Sequence, residues 1–260
     1  MTIDLNDYPL WSIFLVSFVS ILAASEIGRR LGVRASKRGG DNVSTLEGAI
    51  LGLLALMIGF TFAMALARFE SRRDAVLNEA NAIGTTALRA RLLPAPYGGQ
   101  ALKLLQEYVQ VRLDITRRVV PSPAELNATI SRSNALQEAL WQQAKAVALH
   151  DNAMVPTGLF IQSLNEMIDN QEKRLTALRS QVPNVVLIAL YAVAAIAAGF
   201  TGYASGLEAR CSRLPVNIMG ALISGVILLI QDLDRPTAGF IRTSQQPMID
   251  AAASISAFPE

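Results

Sequence analysis

Nine charged side chains stand where two apolar runs of the chain end. Arg68, Glu70, Arg72, Arg73, Asp74 and Glu79 follow the second run, and Asp232, Asp234 and Arg235 follow the fourth. Four are basic and five acidic, so the set prescribes neither anion nor cation preference. Such a cluster can lock helices together through ion pairs. Repeated by symmetry in an oligomer, it can also ring a pore mouth. Glu79, Asp232 and Asp234 offer hard oxygen ligands, but no EF-hand spacing accompanies them and no metal site is assigned.

A second constellation lies inside the fourth apolar run. Asn217, Gly220, Ser224, Ile227, Gln231 and Asp234 are separated by three, four, three, four and three residues, so they share one helical face. Polar groups within a membrane span are costly unless they face protein or water. The face is therefore either an interhelical hydrogen-bond seam or the lining of a watery path that ends at Asp234. These six residues are the pore-lining candidates.

Catalysis finds little to work with. His150 is the only histidine and Cys211 the only cysteine, which excludes an internal disulfide and a zinc-thiolate cluster. No G-x-S-x-G, P-loop, H-E-x-x-H or dinucleotide fingerprint occurs. The expectation is a protein that is not an enzyme, with no catalytic residue and no cofactor.

These residues need a frame. The chain has 260 residues, 52% hydrophobic and only 17% charged, and its mean hydropathy is +0.35. That composition points to an integral, multi-pass protein of the cell (inner) membrane, partnered by the lipid bilayer. A net charge of +2 gives no basic field of the kind nucleic-acid binders use, so nucleic acid is not an expected partner. The acidic start lacks the basic region of a cleaved signal peptide, so the first run is expected to stay as an anchor.

Four runs qualify as spans: residues 8–25, 49–67, 183–207 and 214–231. The predicted organisation is residues 1–67 with two spans and a short basic loop, then an extramembrane helical domain over 68–182. Two further spans follow over 183–231, then a tail over 232–260 carrying Asp-Leu-Asp-Arg-Pro. The second span passes without proline into a charged helix reaching Leu93, with Phe69, Val76, Ala80, Ile83 and Ala87 on one face. Further amphipathic helices carry Leu102, Leu105, Val109 and Leu113, then Phe160, Leu164, Met167, Gln171, Leu175 and Leu178. Between them, Ser122-Pro-Ala-Glu125 reads as a capping box opening a helix to about Leu149. The predicted class is all-α, with an antiparallel helical bundle inserted between spans two and three.

Two spans carry small-residue stripes: Gly48, Gly52, Ala55, Gly59, Ala63 and Ala67 on the second, and Ala192, Ala195, Gly199, Gly202 and Gly206 on the third. Close helix packing within the protomer is the expected use of both. Arg29, Arg30, Arg34, Lys37 and Arg38 in one short loop, with Arg210 and Arg213 in the other, put those loops in the cytoplasm. Arginines at the opposite ends of spans two and three weaken that bias.

Two stretches resemble a widespread bacterial and plant family of membrane proteins of unknown function described as bestrophin-like. The first runs from Gly59 to Pro94 and the second from Gln231 to Ile249. Matching positions are Phe60, Arg68, Arg73, Glu79, Asn81, Arg89, Pro94, Asp232, Asp234, Arg235, Pro236, Gly239, Gln246 and Pro247. The resemblance implies an oligomeric ion channel with two spans, a large helical domain, two more spans and a tail. It also implies a cytoplasmic domain, opposite to the short-loop charges, and this chain lacks the acidic calcium-clasp run of animal bestrophins. The alternative is a non-conducting sensor or scaffold whose helical domain binds a partner or ligand.

Overall fold

The computed structural model describes residues 8–37, 43–117, 123–150, 155–208, 213–236 and 239–258. Among them there are eight helices and no strand: α1 (Leu10–Ser36), α2 (Ser44–Ala90), α3 (Tyr97–Arg117), α4 (Pro123–His150), α5 (Val155–Arg179), α6 (Asn184–Leu207), α7 (Arg213–Asp234) and α8 (Gln246–Ser256). Four segments are long and apolar enough to cross a membrane. Three are α1, α2 and α7. The fourth lies within Val155–Leu207, where the helix breaks at Ser180–Pro183 and α6 carries the apolar part.

α2 is a single helix of 47 residues and does not break between Arg68 and Asp74. Nothing in its sequence would stop it. Its interior has no proline, and Pro94 comes only after its last residue.

The chain divides into two compact units. The membrane unit holds Met1–Phe69, Gln181–Arg235 and Gly239–Ile241, and the helical unit holds Glu70–Ser180, Pro236–Ala238 and Arg242–Glu260. In the membrane unit, Ile21, Leu54, Ala65, Leu187, Leu190, Ala194, Ile227 and Ile230 form a core drawn from all four spans. Its tightest seam is between α1 and α6. A Cβ added to Gly202 would lie 2.8 Å from the carbonyl carbon of Ser25, and one added to Gly28 would lie 2.8 Å from that of Gly199. Only glycine permits backbones to approach so closely, and in lipid such contact is a main source of helix association. Gly28 and Gly32 were expected in a loop. They are helical instead, because α1 continues to Ser36 along α6, with Arg29 and Arg30 paired to Glu26 at 3.0 Å each.

The helical unit has its own core. Ile83 and Ala87 of α2, Leu105 and Val109 of α3, Leu140 and Val147 of α4, Phe160, Leu164 and Met167 of α5, and Met248 and Ile255 of α8 are all buried in it. The apolar stripes of α2, α3 and α5 turn inward together. α8 lies outside every helix predicted above, although Pro247 at its start and the three-and-four spacing of Met248, Ala252 and Ile255 announce it. The guanidinium of Arg91 sits 4.6 Å over the ring of Phe258 and holds the end of this tail. α4 does begin at Pro123, while Ser122 of the predicted capping box lies outside the described residues.

Candidate functional site

The charges after α7 bind main chain. Asp232 accepts hydrogen bonds from the amides of Phe240 (2.8 Å) and Ile241 (3.0 Å) through its two carboxylate oxygens. Gly239 is required beside it, since a Cβ there would come within 3.3 Å of the Asp232 Cγ and closer to its oxygen. One turn on, Asp234 is fully buried and accepts from the amide of Val182 at 2.9 Å, just before α6 begins. The Arg235 guanidinium donates to the carbonyl of Tyr8, just before α1. Three consecutive features of the Asp-Leu-Asp-Arg stretch thus tie the end of α7 to the return loop, to the entry of α6 and to the entry of α1. Charge-assisted bonds of this kind are the strong ones.

The remaining charges of the predicted junction have separate surroundings. Arg68 is half-buried in the membrane unit. In the helical unit Glu70 is exposed, Arg73 and Asp74 form an exposed pair at 3.5 Å, and Arg72 is buried. Glu79 is wholly buried and engages Arg112, with Nε at 2.6 Å and Nη2 at 3.2 Å, and Arg174, with Nη1 at 2.6 Å. Tyr108 completes this centre, donating to Gln171 at 2.7 Å and accepting from Gln137 at 3.3 Å. Gln171 in turn donates to Asn134, and Arg174 to Gln245. One polar centre therefore joins α2, α3, α4, α5 and the segment before α8.

Sequence reasoning missed Arg112 and Arg174. The signal was present, because each falls on the buried stripe of its helix, three residues after Val109 and three after Gln171. A charge in register with core residues needs a buried partner. The electrostatics follow from burial and from the shared carboxylate. Burial pushes the Tyr108 hydroxyl up, and the charge of Glu79 pushes it further, so it stays protonated. Burial works against the charge on Arg112, but Glu79 and then Tyr108 outweigh it and hold that guanidinium above its ordinary value. Arg174 is lowered, first by burial, with the like charge of Arg112 adding to it. Both remain cationic at neutral pH. Among the described residues, no group of three His, Cys, Asp or Glu side chains is placed to hold a metal ion.

The six pore-lining candidates are not alike in placement. Asn217 is exposed, while Gly220 faces Ile21 and Leu22 of α1. Ser224, Ile227, Gln231 and Asp234 are each at most 2% exposed within the protomer, and the Ser224 hydroxyl donates to the carbonyl of Gly220. The stripe on α2 is the reverse. Gly48, Gly52, Ala55, Gly59, Ala63 and Ala67 are all exposed, and a Cβ on Gly48, Gly52 or Gly59 would meet nothing within 4 Å. Leu53, Leu56 and Phe60 widen this uncovered face.

The order of spans, domain and tail invites comparison with known proteins, and the family model for the Bestrophin-like domain matches residues 13–248. The chain belongs to the Bestrophin-like family. That Bestrophin-like match includes α2 from end to end and the clamp at Asp232–Arg235. Two crystal structures of a bacterial Bestrophin homolog from Klebsiella pneumoniae share the fold, with TM-scores of 0.70 and 0.65 at 14% identity. Each comparison covers 95% of this chain and 96% of the other. A crystal structure described as a membrane protein is similar at a TM-score of 0.64 and 14% identity, covering 95% of this chain and 96% of that one. No curated protein matches. At this identity the likeness is one of fold, and the Bestrophin-like chain keeps its own site chemistry.

Proposed function

We propose that this protein is a multi-pass channel of the cell (inner) membrane that conducts ions as a homo-oligomer, with α2 lining the path. The carrying observation is the uncovered small-residue face of α2, which runs the length of its apolar segment from Gly48 to Ala67. Helices α1, α6 and α7 spend their small and polar faces on each other. The polar face of α7 is buried in the protomer from Ser224 to Asp234, and the glycines of α6 are consumed against α1. Only α2 keeps such a face for copies of itself around an axis, where small side chains leave room for a path. The helical domain between spans two and three, read as an antiparallel bundle, would then continue directly from the lining helix, because α2 is one helix.

Ion flux from proteoliposomes tests this reading without assuming the ion. Gly59→Leu places a bulky group at the middle of the open face, with nothing in the protomer for it to strike. The oligomer is expected to assemble and the flux to fall at least tenfold. An assembled Gly59→Leu complex with unchanged flux would overturn the assignment of α2. Absence of flux from an intact wild-type oligomer would overturn conduction itself and leave the sensor or scaffold.

A further inference from the structure

The buried centre of the helical unit carries a charge imbalance. Its buried charged side chains are Arg72, Arg112, Arg174 and Glu79, so a single carboxylate stands against three guanidiniums among the described residues. Glu79 has no capacity left. Its Oε1 takes Arg112 Nε at 2.6 Å and lies 3.4 Å from the Tyr108 hydroxyl, while its Oε2 takes Arg112 Nη2 at 3.2 Å and Arg174 Nη1 at 2.6 Å. The other groups of the centre, Tyr108, Gln137, Gln171, Asn134 and Gln245, are neutral.

Arg112 shows where the imbalance is exposed chemically. It meets Glu79 side-on through Nε and Nη2, which leaves Nη1 on the far edge of the guanidinium. Nη1 is buried and has no hydrogen-bond partner, on a residue that is 1% exposed. Arginine cannot shed its proton to escape this, and an uncompensated buried cation is among the costliest arrangements in a protein. A water would satisfy the hydrogen bond but not the charge. A small anion satisfies both.

We propose that the Arg112 Nη1 edge binds one small inorganic anion of the halide class, which completes the charge of the Glu79–Arg112–Arg174 centre. Burial selects a monatomic ion over oxyanions or organic acids, because a spherical ion makes no demand for further donors in a fixed array. The site is structural for the helical unit and holds whether or not the protein conducts.

The test uses the full-length protein in detergent. Thermal unfolding is followed as sodium gluconate is replaced by sodium chloride or bromide at constant ionic strength. A melting temperature that rises and saturates with halide is expected, as for any ligand of the native state. Crystals grown in bromide should show an anomalous peak beside Arg112 Nη1. Arg112→Gln keeps amide donors and removes the charge, so its melting temperature should not respond to halide. If that variant does not fold, the bromide peak in the wild type decides alone. No halide dependence and no bromide peak would mean a water at that edge and overturn the proposal. A halide response that persists in Arg112→Gln would place the ion elsewhere and overturn it equally.

Discussion

Alanine at selected glycines separates the face that the protomer uses from the face it leaves open. At Gly202 of α6 the new Cβ would stand 2.8 Å from the carbonyl carbon of Ser25 and 2.9 Å from its Cα. Ordinary carbon contact is about 3.5 Å, so the two backbones must part by ~0.7 Å or more. Backbone on both sides cannot rotate away, which puts the cost at the upper end of the ~1–3 kcal/mol typical of overpacking. At Gly220 of α7 the Cβ would meet the Cγ2 of Ile21 at 3.1 Å, the end of a flexible side chain, and a loss below about 1 kcal/mol is expected. At Gly59 of α2 it would meet nothing within 4 Å, and alanine, a better helix former by roughly 1 kcal/mol, should be neutral or stabilising. The assay is reversible unfolding of the three variants in mixed micelles against the wild type. If Gly202→Ala unfolds with the same midpoint as Gly59→Ala, the α1–α6 contact is not what holds the membrane unit, and the reasoning fails.

Other expectations concern the helical unit and the topology. Glu79→Gln leaves two buried guanidiniums without their carboxylate, and should lower stability in chemical denaturation by about 3–5 kcal/mol. Tyr108 binds its proton more tightly when folded, so its contribution is intact below the ordinary tyrosine value near ~10 and is lost as pH rises toward its folded value. Thermal melts should therefore weaken above about pH 10, and Tyr108→Phe should blunt that alkaline loss. An impermeant thiol reagent should leave Cys211 unlabelled in intact spheroplasts and label it after lysis, if the short basic loops are cytoplasmic. Labelling before lysis would put the helical domain in the cytoplasm.

Periodicity explains which parts of this protein are readable in advance. The spans, the continuity of α2 and the inward stripes of α2, α3 and α5 all follow from hydropathy and a repeat of 3.6 residues, because in water an apolar stripe has only one place to go. The misses share a different cause. Gly28 and Gly32 sit among arginines, and composition there argued for a loop, while their use depends on glycines of α6 about 170 residues later. Arg112 and Arg174 find Glu79 from 33 and 95 residues away, a pairing that no local pattern encodes.

Inside the membrane the difficulty is sharper. Lipid is as apolar as a protein core, so a stripe of small or polar residues shows which residues share a face and not what the face meets. The stripes of α2, α6 and α7 have the same spacing and three different surroundings: open, pressed against α1, and folded into the protomer. The polar stripe of α7 looked most like a lining because polar groups in a span demand an explanation. In the protomer the explanation is local, since Ser224 bonds its own helix and Asp234 holds the entry to α6. The plain glycine and alanine face of α2 demands nothing by itself. It becomes informative once every other span is seen to have spent its equivalent.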